Sequence, residues 1–287
     1  MNRKSRMKEA YKRAGIPTAK WTLPKTLDDA KEFANSVRYP VIVKPNKGVG
    51  ATSTYKLNND IELENFWNHK DPQITFIEEE CVPGHVETFD GITDSHKNIL
   101  FAASQVLPVS LMDAVNQDKD VLSFCQAPDN DLWKAGEKVL QEFDTRNKFF
   151  HFEFFRLDED KKGLGKKGDI IGLEVNMRAP GGRIPDKMNF AYETDVYTIW
   201  ADSLIYDKCF MASTFKHYIT HFGRKNSIHY QYDRDTVRSI FKNQIIEEMD
   251  VDEVLADEMG NYAWLMRANS IEEREQQVQI ILGKVEE

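Results

Sequence analysis

Gly172-Leu173-Glu174-Val175-Asn176-Met177-Arg178 is the stretch on which the fold of this chain turns. In a strand, alternate side chains share a face, so Glu174, Asn176 and Arg178 project together while Leu173, Val175 and Met177 point into a core. Two oxygen donors and a guanidinium on one face suit a hard cation beside an anion. An ordinary amphipathic strand with its polar side in water shows the same alternation, and its upstream neighbour decides between the two. Phe149-Phe150-His151-Phe152-Glu153-Phe154-Phe155 sets one carboxylate in an aromatic run. A buried carboxylate needs a metal, a cation or an opening to the surface. Between the two strands, Lys161-Lys162 and Lys166-Lys167 are broken by glycines and flanked by acids, the pattern of a solvated hairpin tip. Such a hairpin brings Glu153 near Glu174 and Asn176. Two carboxylates and an amide oxygen around one point suit Mg²⁺, or Mn²⁺ in its place, held between protein and phosphates.

Two further segments fit a nucleotide. In Val41-Ile42-Val43-Lys44-Pro45-Asn46-Lys47-Gly48-Val49-Gly50-Ala51-Thr52, a lysine leaving an apolar strand can reach a phosphate as a compact charge. The glycines let backbone N–H groups approach phosphate oxygens. The order differs from a P-loop and from a dinucleotide fingerprint, and a plain hairpin turn fits as well. In Phe76-Ile77-Glu78-Glu79-Glu80-Cys81-Val82-Pro83-Gly84-His85-Val86-Glu87, a strand can offer backbone groups to an adenine edge, with His85 and Glu87 on one face for ribose hydroxyls. A charged strand end with a Pro-Gly turn is the alternative.

Elsewhere, Lys4 to Ala14 carries apolar residues at helical spacing, stopped by Gly15 and Pro17. Thr26 with Asp29 reads as a capping box before a second helix. Further helices are expected over Asp60–His69, Asp131–Phe143, Met188–Tyr206, Arg234–Phe241 and Ile271–Val285. Strands are expected over Thr52–Leu57, Ile74–Glu78, Val86–Ile92, Ile99–Leu107, Phe149–Leu157 and Ile170–Met177. Pro108 to Pro128 reads as a long loop. Strands and helices interleave without steady alternation, which makes the class α+β.

Composition narrows the function. With 47 acidic and 38 basic residues the net charge is −9, which argues against a nucleic-acid coat. No apolar run is long enough to span a membrane, and the basic N-terminus lacks a signal core. Cys81, Cys125 and Cys209 are odd in number and without metal-ligand spacing, fitting small buried or half-buried residues in a reducing cytoplasm.

Taken in order, these pieces resemble an ATP-grasp enzyme of the carboxylate–amine ligase kind. The markers are Lys4 before Ala14-Gly15-Ile16-Pro17, Val43-Lys44-Pro45 with its Gly-rich turn, Glu79-Glu80, Phe152-Glu153-Phe154, and Glu174-Val175-Asn176-Met177-Arg178 with Pro180-Gly181-Gly182. The resemblance covers about residues 1 to 205. It implies two α+β subdomains clasping ATP, at 1–78 with the Gly-rich lid and 79–207 with the metal site, and a small α/β extension at 208–287. By position, Lys4 and Lys44 would neutralise ATP phosphates, and Lys47, Gly48 and Gly50 would belong to the lid over them. Glu79, Glu80, Cys81 and Val82 would bind adenine largely through backbone, and His85 or Glu87 the ribose. Glu153, Glu174 and Asn176 would hold the metal, and Arg178 would steady the phosphoryl group or the substrate carboxylate.

The implied reaction joins a small-molecule carboxylate to an amine through an acyl phosphate, on amino acids or small metabolites. Such ligases usually carry a further N-terminal α/β domain of about a hundred residues, expected to be lacking here because the chain starts almost at Lys4. That leaves a second reading, an ATP-binding module inactive without a separate N-terminal domain or partner; a homodimer is the other expected partnership. A biotin-carboxylase-like activity is a further alternative, although the segment after Arg178 lacks the Gln-Val-Glu-His run of those enzymes.

Overall fold

Local signals start the helices where the sequence places them. In the computed structural model, which describes residues 3–48, 53–109, 112, 114, 117–211 and 213–285, Thr26 and Asp29 form the expected reciprocal capping box at the start of α2 (Leu27–Val37). α1 (Lys4–Arg13) ends at Gly15, whose φ of 70° is a left-handed conformation that glycine adopts without strain. The remaining N-terminal elements are β1 (Trp21–Thr22), β2 (Val41–Pro45), β3 (Tyr55–Leu57), α3 (Asp60–His69) and β4 (Phe76–Glu80). Then come β5 (Gly84–Thr93), β6 (Ile99–Leu107), β7 (Val121–Gln126), α4 (Asn130–Glu142), β8 (Phe149–Leu157) and β9 (Ile170–Asn176). The chain continues through α5 (Ile184–Tyr192), α6 (Val196–Tyr206), β10 (Tyr218–Arg224), α7 (Arg234–Phe241), β11 (Ile245–Asp250), α8 (Glu253–Met259), β12 (Tyr262–Ala268) and α9 (Ile271–Ile281).

The class is α+β, with two sheets of strand order β1-β4-β2-β3 and β11-β12-β10-β7-β6-β5-β8-β9. Contacts group the chain into two compact units: Met1–Gly84 with Lys134–Phe143 and Glu153–Val175, and His85–Trp133 with Asp144–Phe152 and Asn176–Glu287. In the first unit, α2 and α3 bury Ala30, Ala34 and Leu63 against Val41, Val43 and Phe76 of the small sheet. Fully burying a side chain of this size contributes roughly 1.5–3 kcal/mol, so this layer fixes β2 and β4, which carry Lys44 and Glu79. In the second unit, Met188, Ala191, Val196 and Ile199 pack on Ile92, Phe101, Phe149, Ile219 and Leu265. A separate core joins Phe222, Trp264 and Met266 to Val237, Phe241 and Ile281.

Three expectations are corrected. The single helix over Met188–Tyr206 is two helices, because Glu193 turns left-handed at φ 49° and Asp195 caps a new start by accepting from the Tyr197 amide at 3.0 Å. The stretch 108–128 is not all loop: β7 lies between β6 and β10, with Gln105 facing Cys125 and His221 facing Ser123. The hairpin tip is not simply solvated, as described below for Lys161. Among the described residues, no helix is long and apolar enough to cross a membrane. Cys125 is buried, and Cys81 and Cys209 are half-buried.

Candidate active site

One face of α1 organises the site within the first unit. Residues three and four apart on a helix lie above one another, which aligns Lys4, Lys8 and Tyr11. Lys4 Nζ stands 3.6 Å from a Glu174 carboxylate oxygen and donates to the Gly48 carbonyl at 3.1 Å. Lys8 Nζ donates to Glu79 Oε2 at 3.0 Å, and Lys44 Nζ reaches the same oxygen at 3.2 Å. The Tyr11 hydroxyl is 2.9 Å from the Glu174 carbonyl and 3.1 Å from the Glu153 carbonyl. It has one proton to donate, so it serves either carbonyl and ties the two carboxylate-bearing strands to one helix. Burial pushes this phenol well above its usual range, reinforced by Glu153 and Glu174.

The approach of α1 to β9 requires a glycine. A Cβ on Gly172 would lie 2.6 to 2.8 Å from the Tyr11 ring, and the Gly172 amide donates to the Pro17 carbonyl at 2.8 Å. Glycine at 172 is therefore what lets a tyrosine sit flat on the strand that carries Glu174.

The electrostatics at Glu79 are those of a carboxylate between two ammoniums. Burial pushes its carboxyl upward, but Lys44 and Lys8 outweigh burial and hold it below the usual range. Lys8 is pulled down by burial and supported chiefly by Glu79. Glu80, one residue on, turns to the opposite side, where its carboxylate accepts from the Lys20 amide at 2.8 Å and lies 3.5 Å from Lys161 Nζ. Lys161 also donates to the Cys81 carbonyl. The basic tip of the β8–β9 hairpin thus folds back on the Glu80-Cys81 segment, since a lysine stem can cover apolar surface while its ammonium finds acceptors. Val82 packs with Ala19, Leu157 and Ile171.

Lys4, Lys44, Glu79, Glu80, Cys81, Val82, Glu153 and Glu174 all belong to this first unit. Glu174 and Lys44 are buried and Glu153 is half-buried, between Phe152 and Phe154 in sequence, both with no exposed surface. Lys47 and Gly48 are exposed, and Gly48 has a φ of 149°. Gly50 and most of the expected lid lie outside the described residues. His85, Glu87, Asn176 and Arg178 belong to the second unit. There His85 Nε2 lies 3.3 Å from Glu87 Oε1, Asn176 is buried, and the exposed Arg178 donates to the Ala179 carbonyl at 2.8 Å. Among the described residues, no three His, Cys, Asp or Glu side chains converge as a metal-holding group. Within the first unit, Glu153 and Glu174 offer oxygen donors of the kind a hard cation takes, and the Lys4 ammonium stands beside Glu174.

Lys8 and Tyr11 were not singled out from the sequence, and Lys161 was read only as part of a solvated hairpin tip. The four-residue spacing of Lys4 and Lys8 was the available signal for the first. Nothing in the local pattern pointed to the hydroxyl of Tyr11 or to the partner of Lys161.

Residues 3–104 match the family model of the carbamoyl-phosphate synthase L chain, ATP-binding domain. The fold is similar to that of an L-amino acid ligase from Bacillus licheniformis, with TM-score 0.71, 12% identity and coverage of 96% of this chain and 68% of that one. It is also similar to the biotin carboxylase domain of the Hydrogenobacter thermophilus 2-oxoglutarate carboxylase, a complex containing MgADP, with TM-score 0.64, 16% identity and coverage of 94% and 62%. These likenesses define the fold class: the chain has the α+β ATP-grasp fold. In sequence it is similar to the L-arginine-specific L-amino acid ligase of Bacillus subtilis, 24% identical over 220 residues, which are 71% of this chain and 49% of that protein. The chain thus spans about half the length of that curated relative.

Proposed function

We propose that this chain is the nucleotide- and metal-binding body of an ATP- and Mg²⁺-dependent ligase that joins a carboxylate to an amine, with amino acids as the first candidates. The observation that carries this reading is the Lys4 ammonium 3.6 Å from the Glu174 carboxylate, on strands and a helix tied together by Tyr11. On this reading the Lys4 ammonium binds phosphate beside the carboxylate that holds the metal. The likeness to two L-amino acid ligases supports the substrate class.

In the proposed reaction, a substrate carboxylate oxygen attacks the γ-phosphorus in line. The bond from phosphorus to the bridging oxygen breaks and ADP leaves with the electron pair. The amine nitrogen then attacks the acyl carbon of the acyl phosphate, phosphate departs, and the nitrogen's surplus proton passes to phosphate or solvent. No protein nucleophile takes part, so the chain contributes position and charge. Lys4 and Lys44 would oppose the phosphate charge, and Arg178 would steady the transferring group or the substrate carboxylate. Glu153, Glu174 and Asn176 would hold the metal, Asn176 lying two residues beyond Glu174 on β9. Mg²⁺ would supply charge neutralisation to the phosphoryl oxygens. Glu79 to Val82 and His85 or Glu87 are assigned to adenine and ribose.

Release of ADP and phosphate across pairwise mixtures of amino acids with ATP and Mg²⁺ tests this. Release that requires acid and amine together is expected. Nucleotide binding without release for any pair would move the reading to an ATP-binding module dependent on another domain, and full turnover by Glu174→Gln would refute the metal assignment.

A further inference from the structure

Glu79 has two buried lysines on one oxygen, one more than charge balance requires. Lys8 comes from α1 and Lys44 from β2, at 3.0 and 3.2 Å from Oε2, with side chains 1% and 9% exposed against 3% for Glu79. Lys44 sits diagonally across the β2–β4 pair, since Ile42 faces Glu79 and Lys44 faces Ile77 in the register. The second ammonium lies in a dry place, where burial pulls Lys8 toward its neutral form and Glu79 is the carboxylate it donates to.

A lysine assigned to phosphate cannot remain on a carboxylate without weakening its grip on the nucleotide. It also cannot simply leave, because a buried carboxylate stripped of its partner is strongly destabilising. The second lysine resolves the conflict. We propose that Lys8 is a positioning residue that keeps Glu79 compensated while Lys44 moves from Glu79 to the nucleotide's phosphates. The inference rests on the reading of Lys44 as a phosphate ligand. Lys44 then serves two partners in turn: Glu79 holds it extended toward the site before nucleotide arrives, and Lys8 makes its release inexpensive. Lys4, one helical turn before Lys8, stands by Glu174 and not by Glu79.

The test is calorimetric titration of the folded full chain with a non-hydrolysable ATP analogue plus Mg²⁺, and separately with adenosine. Lys8→Met should weaken the ATP analogue about tenfold or more while leaving adenosine within about twofold, because only phosphate binding requires Lys44 to leave Glu79. Lys8→Arg should stay within about threefold of the wild type, and Lys8→Met/Glu79→Gln should recover to a similar level because no charge is then stranded. Lys8→Gln, which keeps a polar group beside Glu79 but no charge, should show the same analogue-specific loss and keeps the test decisive if Lys8→Met does not fold. Equal losses for analogue and adenosine in Lys8→Met or Lys8→Gln would overturn the proposal, as would an unchanged analogue affinity. A folded wild type that binds no analogue would instead overturn the nucleotide reading beneath it.

Discussion

Replacing Glu78 by glutamine should stabilise the protein, and only above mildly acidic pH. Glu78 lies on the opposite face of β4 from Glu79, facing Val43 and Thr22 in the sheet register, on the side that carries Phe76 into the α2–α3 core. It has no exposed surface, and neither carboxylate oxygen has a hydrogen-bond partner among the described residues. Burial pushes its carboxyl from 4.5 up to about 8. The folded state therefore prefers the protonated acid. This contribution is fully present below pH 4.5 and is lost as the pH rises through 8. At 1.36 kcal/mol per unit, the roughly 2.5 units between pH 4.5 and 7 correspond to about 3.4 kcal/mol. Local relaxation and water penetration reduce this to about 1–2 kcal/mol. Glutamine cannot ionise and escapes the loss. Thermal melts of Glu78→Gln and wild type across pH 5 to 8 should show the variant about 2–6 °C more stable at pH 8. The two should converge to within about 0.5 kcal/mol at pH 5. A gap that is the same at both ends, or a wild type that is the more stable at pH 8, would mean that Glu78 is charged and compensated in the fold.

Two further predictions concern the strap between α1 and the metal strands. Tyr11→Phe removes one hydroxyl from between the Glu153 and Glu174 carbonyls; it should lower stability by about 1 kcal/mol in denaturant titration and raise the Mg²⁺ concentration needed for half-maximal nucleotide binding. Gly172→Ala brings a methyl against the Tyr11 ring; it should cost about 1–3 kcal/mol, and in the Tyr11→Ala background most of that overpacking penalty should disappear in the same titration.

What the sequence displayed was element by element. The alternation around Glu174 and the aromatic run around Glu153 reported two strands with their boundaries nearly as observed, Phe149–Leu157 and Ile170–Asn176. Polar residues in an apolar strand are conspicuous, so the candidate carboxylates were legible too. The Thr26–Asp29 box and the helix over Asp60–His69 were likewise visible, because caps and periodicity are local. The break between α5 and α6 was not: a left-handed Glu193 carries no glycine to announce it. β7 was hidden because Val121–Gln126 is short and mixed, and becomes a strand through pairing with β6 and β10. The partners of Lys8 and Lys161 were invisible for the same reason. A surface-like lysine becomes a buried one only when residues about seventy or eighty positions away arrive beside it.

The most direct test of the metal assignment is a Mn²⁺ titration followed by paramagnetic resonance, with a non-hydrolysable ATP analogue present, on wild type, Glu153→Gln and Glu174→Gln. The free-ion signal should be suppressed by the wild type. Each variant should need about ten times more protein or more for the same suppression, as expected when a ligand position is neutralised. Variants that bind Mn²⁺ and analogue as tightly as the wild type would contradict the assignment of Glu153 and Glu174 to the metal.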